Sequence, residues 1–217
     1  MSGPKARDST RGLAAFQSSD FLLLMIGKAM GWFALHMTVP AIQFQVYDMT
    51  GNVADLAYIG LASFLPAIGF SLFTGYVADR FDRRIVISVC YLVVLISTLL
   101  FLWFTLAEIS VVWPVFLILL FEGTGRAFHQ PAISAIIPNL VPDETFPNAV
   151  AWHSTINKTC QMSGPAIGLA LYAYVGPATV YALASVLLVL ATILTMMIRT
   201  RTERGSRQPT SLSALLA

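Results

Sequence analysis

The sequence predicts an all-α membrane protein of six transmembrane helices, with both termini in the cytoplasm. Three observations carry that expectation. Hydrophobic residues make up 57% of the 217-residue chain and charged residues 11%, against about 25% charged in a soluble domain, and the mean hydropathy is +0.74. Six stretches each hold the roughly 20 apolar residues that cross a hydrocarbon core. Ten of the 13 Lys and Arg residues sit in three polar segments: Lys5, Arg7 and Arg11 before the first stretch, Arg80, Arg83 and Arg84 after the second, and Arg199, Arg201, Arg204 and Arg207 after the sixth. With six spans these segments share one side, and the bias of Lys and Arg towards the cytoplasm assigns that side. The fourth connection, with Asp143 and Glu144 but no cation, is neutral on the point. The first, third and fifth connections carry only Asp48, Asp55 and Glu108.

The polar residues 1–20 read as a cytoplasmic tail, and the apolar run after them is too long for a cleaved signal peptide. The spans are predicted at 21–47, 56–77, 85–106, 111–137, 149–175 and 178–198. Their unbroken Leu-, Ala- and Ile-rich character excludes the short alternating segments of a membrane β-barrel. Span 1 carries Lys28, Trp32 and His36 at helical spacing, with Gln43 further along. Between spans 2 and 3, residues 75–84 read as a charge-dense connecting loop. Spans 3 and 6 contain no charge, which suits helices that mostly meet lipid. Span 4 carries Glu122, Arg126 and His129 on one face. Span 5 carries the stripe His153, Asn157, Gln161, with Lys158 beside it. Residues three and four apart share a helix face.

Charges inside a membrane are costly and usually face a partner, the bundle interior or a water-filled cavity. Lys28, Glu122, Arg126 and Lys158 are therefore the leading functional candidates. Levelling spans 4 and 5 at their midpoints suggests a Glu122–Arg126–Lys158 cluster, to which Lys28 could add. Each residue also has a plain structural reading. Glu122 and Arg126 could form only an intrahelical pair, the three histidines and Trp32 could be packing residues, and Lys28 could snorkel to the interface. Cys90 and Cys160 lie in apolar runs and read as small buried residues. No Cys/His spacing resembles a zinc site, and nothing calls for a cofactor.

The segment Gly75–Arg84 resembles motif A of the major facilitator superfamily, G-x-L-A-D-R-x-G-R-R. Gly75, Ala78, Asp79, Arg80, Arg83 and Arg84 match, Val77 replaces Leu, and Asp82 departs from the family's Gly. The resemblance implies that Asp79 latches the outward-facing state by holding a helix of a second six-helix half, with Arg80, Arg83 and Arg84 supporting it. Arg126 stands where the motif B arginine, linked to proton coupling, is expected. The stretch 160–168 resembles the antiporter motif C through Gly164, Pro165 and Gly168, which implies a bend in the fifth helix. R-A-F-H-Q-P-A and the fourth connection resemble a subgroup of enterobactin-type siderophore exporters and macrolide efflux pumps. Pro66-Ala67-Ile68-Gly69 recurs as Pro165-Ala166-Ile167-Gly168, in the two spans that correspond in a 3+3 inverted repeat.

The resemblance implies one half of a twelve-helix transporter, with no enzymatic activity. Residues 199–217 look like the start of a central linker in which Thr210 or Ser211 would cap a helix from Leu212, so the chain is expected to be a truncation. The expected function is proton-coupled export of an amphipathic siderophore or drug-like molecule across a bacterial inner membrane, with the missing half or a second copy as partner and no nucleic acid. A natural half-transporter working as a dimer and a non-transporting membrane scaffold are the alternatives. An intramembrane serine protease would have to use Ser163 with His129 or His153. It is disfavoured because Pro165 follows and no Gly-rich elbow surrounds the serine.

Overall fold

The computed structural model describes residues 14–199, except for the side chains of residues 72–76, 78 and 79. A 3-10 turn, Ala14–Gln17, leads into six long helices: α1 Ser19–Thr50, α2 Val53–Arg80, α3 Arg83–Leu106, α4 Trp113–Ile136, α5 Phe146–Val175 and α6 Pro177–Met196. No strand occurs among the described residues. The predicted tail cations, the linker helix at Leu212 and its caps Thr210 and Ser211 lie outside them.

Local chemistry sets the helix ends. Ser18 caps α1 by accepting from the Phe21 amide at 3.4 Å. Gly51 ends that helix at φ 63°, a left-handed conformation in which glycine meets no steric penalty. Asn52 immediately caps α2, so two residues turn the chain. Residues 75–84 are not a loop. α2 runs through Arg80, α3 starts at Arg83, and only Phe81 and Asp82 lie between. Asp82 allows this: its carboxylate accepts from the Arg84 amide at 3.0 Å and restarts the helix at once. Arg80 sits in the last turn of α2, where a cation offsets the helix dipole.

Four of the helices, α1, α2, α3 and α6, are long and apolar enough to cross a membrane. The other two have the length, at 24 residues for α4 and 30 for α5. Their polar stripes dilute the hydropathy.

The helices pack in the spatial order α5–α1–α6–α3–α4–α2. α1 and α5 run parallel, since Lys28 meets His153 and, further on, Asp48 meets Tyr172. α2 and α4 also run parallel, with Tyr58 against Phe116 and Phe70 against Phe128. The pairs α1·α6, α3·α4 and α3·α6 are antiparallel: Gly27 meets Ala191 and Gln45 meets Tyr181, Arg83 meets Ala135 and Cys90 meets Gly125, and Arg84 meets Ile198 and Phe101 meets Tyr181. The expectation that α3 and α6 mostly meet lipid is met only in part: half of the apolar window of α3 and 44% of that of α6 are buried, whereas only 17% of that of α2 is. A helix without charge can sit at the centre of a bundle as readily as at its rim, because apolar side chains suit protein and lipid alike.

Candidate functional site

α1 contributes a stripe that faces the bundle centre. Lys28 is fully buried, with 0% exposure, and does not snorkel. Its Nζ lies 2.7 Å from His153 Nδ1 and donates to the His153 carbonyl oxygen at 3.0 Å. Asn157, one turn further along α5, brings its amide to 3.3 Å from His153 Nε2. One turn beyond Lys28, the Trp32 ring stacks on His129 of α4 with centroids 5.7 Å apart and planes 7° from parallel. The other side of His129 meets Tyr91 of α3, edge-on at 4.7 Å. His36 packs its ring edge on Trp32 at 5.1 Å.

α4 supplies the second charged group. Arg126 Nη1 lies 3.8 Å from Glu122 Oε1, and the side chains are 30% and 4% exposed. This is an i,i+4 pair with a buried anion and a half-exposed cation. Lys158 does not join it, contrary to the sequence expectation. It is exposed and reaches Gln161 Oε1 at 3.4 Å. Successive helix residues are about 100° apart, so Lys158 points well away from the face that carries His153. The α1-facing stripe of α5 continues through Cys160, Gly164 and Gly168, all buried, while Gln161 is exposed.

The motif C-like glycines act at this contact. A methyl on Gly164 would lie 2.7 Å from His36 Cβ, and one on Gly168 would lie 2.2 Å from the Met37 carbonyl oxygen. Only glycine lets the two backbones approach so closely. α5 stays helical through Pro165. Gly69, the counterpart of Gly168 in the repeated tetrapeptide, has nothing within 4 Å of such a methyl.

At the end of the bundle that holds the 81–82 connection, Arg83 Nη1 donates to the Ala135 carbonyl at 2.7 Å. Arg84 pairs with Asp82 at 3.1 Å and donates to the Ile198 carbonyl. Both arginines cap the trailing ends of neighbouring helices, where carbonyls lack helical donors. The surroundings of Gly75 and the side chain of Asp79 lie outside what the structure describes.

Several polar residues went unmarked in the sequence. Gln45, rather than Gln43, ties α1 to its neighbours: its amide donates to Thr105 Oγ1 at 2.9 Å and accepts from the Tyr181 hydroxyl at 2.8 Å. The Tyr172 hydroxyl donates to Asp48 at 2.6 Å. A glutamine inside an apolar run was the available signal. Tyr91 gave none, because aromatic residues are common in such runs. Tyr91 Oη, both His129 nitrogens and His36 Nε2 are buried with no hydrogen-bond partner. Cys90 and Cys160 are buried and unbridged. Among the described residues no three His, Cys, Asp or Glu side chains gather as metal ligands.

Residues 10–213 match the family of transmembrane secretion effectors. The chain is 28% identical to macrolide efflux protein A of Streptococcus pyogenes over 153 residues, covering 70% of this chain and 38% of that protein. It is 32% identical to the staphyloferrin A transporter of Staphylococcus aureus over 173 residues, covering 76% and 40%. An uncharacterized transporter of Bacillus subtilis, YfiS, is 22% identical over 139 residues, covering 64% and 32%. The chain thus spans about two fifths of the first two relatives. Its helices and these matches make it a multi-pass integral membrane protein. By sequence it belongs to the transmembrane secretion effector family of the major facilitator superfamily, a family of transporters and not of enzymes.

Proposed function

We propose that this chain is the first six-helix half of a proton-coupled exporter of amphipathic small molecules, of the siderophore or macrolide class, in a bacterial inner membrane. The kinship with a macrolide efflux protein and a staphyloferrin A transporter carries this reading. The arrangement of buried ionisable groups supports it. Lys28, Glu122, Arg126, His129 and His153 converge from three helices, and a cost of that kind is borne in membranes mainly for transport or coupling. The partnerless buried atoms of His129, Tyr91 and His36 suit a centre that is hydrated or occupied during part of a cycle.

The packing order supports the 3+3 inverted repeat. Exchanging α1, α2, α3 for α4, α5, α6 maps the parallel pair α1·α5 onto α4·α2 and the antiparallel pair α1·α6 onto α4·α3. In this reading both termini face the cytoplasm. The uncovered faces of α2 and α5 meet a second half, and Asp79 latches a helix of that half, with Arg80, Arg83 and Arg84 as its support. Gly164, Pro165 and Gly168 shape the α1-facing side of α5.

Everted membrane vesicles from cells expressing the full-length protein test the proposal. Acidifying the lumen is expected to drive uptake of a labelled macrolide or of staphyloferrin A, and a protonophore should abolish it. Vesicles that handle a broad panel of siderophores and macrolides no differently from control membranes would overturn it.

A further inference from the structure

The geometry points to Lys28 and His153 as one proton-binding unit that joins α1 to α5, closed when it carries one proton and opened by a second. This rests on the transporter reading above and names the site within it that takes the proton. The first support is the contact itself. At 2.7 Å the Nζ···Nδ1 approach has the length of a charge-assisted hydrogen bond. Each such bond needs one donor and one lone pair. An ammonium has no lone pair, so it donates, and Nδ1 accepts. The ring hydrogen of the neutral imidazole is then on Nε2, which faces the Asn157 side-chain amide with Nδ2 at 3.3 Å; exchanging that amide's nitrogen and its unpartnered Oδ1, which a half-turn of the side chain achieves, turns the oxygen to receive it.

The second support is what surrounds the pair. Lys28 takes part in neither ion pair found among the described residues. From α5 it faces His153 and Cys160, whose thiol lies 3.6 Å from the Ala29 carbonyl; Lys158 points away. From α4 come His129, with Arg126 and Glu122 beyond it. From α3 come Tyr91, which packs on Gly31, and Cys90. His36 lies two turns along α1. α6 adds no charge, only the buried hydroxyls of Thr192 and Thr195 near this level. No carboxylate therefore neutralises the ammonium directly, and its hydrogen-bond partners are the His153 imidazole and the His153 carbonyl oxygen. With 0% exposure, Lys28 cannot touch a substrate in this conformation. A proton is the ligand small enough to reach it.

The chemistry of a second proton follows. Nζ already holds three hydrogens and Nε2 one, so the incoming proton bonds to the Nδ1 lone pair and imidazole becomes imidazolium. The N–H···N bond is lost, because donor now faces donor. Two cations stand at contact distance in a buried site, and the ammonium keeps only the His153 carbonyl oxygen as acceptor. The contact separates and admits water. The glycine contacts of Gly164 and Gly168 lie further along the same interface and hold α1 to α5 while this end opens.

Nitrogen-15 NMR of histidine-labelled full-length protein in nanodiscs, titrated with acid, tests the unit. The expected result is a neutral His153 with its hydrogen on Nε2, which takes up one further proton on acidification. Lys28→Met removes the neighbouring cation, and His153 should then protonate at about tenfold lower acid concentration or less. Asn157→Asp places a carboxylate at Nε2 and should shift protonation the same way, which keeps the test open if Lys28→Met does not fold. A ring hydrogen on Nδ1 in the wild type, or titrations unchanged by both variants, would overturn the unit. A second arm follows transport. Lys28→Met should retain substrate exchange down its gradient and lose proton-driven accumulation. If the NMR behaves as expected and coupling survives in Lys28→Met, the unit is not the coupling site, although the transporter reading stands. A wild type without transport would overturn that reading, and the NMR arm would still judge the proton unit.

Discussion

Gly31 faces a wall made by a single residue. A methyl there would lie 2.3 Å from Cε1 of Tyr91, a ring only 3% exposed and held by His129. Overpacking of this kind costs about 1–3 kcal/mol. Gly31→Ala is expected to destabilise the purified protein by that amount in thermal unfolding, and by much less in a Tyr91→Leu background. Equal penalties in both backgrounds would show that the two residues do not touch. The Glu122–Arg126 pair gives a second residue-level expectation. Removing one partner hurts most when the charge left behind is buried. Glu122 is 4% exposed and Arg126 30%, so Arg126→Met should destabilise the protein more than Glu122→Gln, and the reverse order would contradict the burial. Sequence spacing marked both residues of this pair and both members of the Lys28–His153 contact. It could not say who meets whom, since a stripe fixes a face and not a neighbour. Hence levelling spans 4 and 5 at their midpoints groups Lys158 with Glu122, whereas Lys158 lies on the exposed side of α5.

At the scale of the element, the helix boundaries were legible because capping chemistry is local. The predicted edges differ from the observed ones by three residues at most, and differences of three arise where the apolar run thins out before the helix does, as at Ala78–Arg80 and at Asn148. The 75–84 segment reads as a loop because charge density suggests exposure, whereas the backbone answers to caps. Asp82 is the decisive residue there. It caps α3 through the Arg84 amide and pairs with the Arg84 guanidinium. Asp82→Ala should cost about 1 kcal/mol, and Asp82→Gly, the residue usual in motif A, only a few tenths. Chemical or thermal unfolding of the two variants in the same detergent measures the difference. If alanine is tolerated as well as glycine, the cap is not what starts α3.

The order of the whole bundle was not legible in the sequence. Hydropathy gives six spans, but the interior of a membrane protein is no more apolar than its lipid face, so nothing in the composition of α3 or α6 announced that they pack on each other between α1 and α4. The repeated Pro-Ala-Ile-Gly pointed to the correspondence of α2 with α5, yet Gly168 packs on Met37 while Gly69 faces open space. That inequality bears on how the molecule would work. α5 is held to α1 by the Lys28–His153 contact, the two glycines and Asp48–Tyr172, whereas α2 presents Tyr58, Leu61, Phe64, Leu65 and Ile68 uncovered, at 50–65% exposure. An apolar face of that size is what the proposed second half would cover, and the centre at Arg126 and His36 would then be closed on both sides. Alternating access needs two such halves to rock around one site. Proteoliposomes containing this 217-residue chain alone are therefore expected to show no substrate-coupled proton flux, and co-expression with a second six-helix half as a separate chain should restore it. Flux from the 217-residue chain alone would instead mean that two copies close the site between them, and the uncovered face of α2 would then be the surface through which they pair.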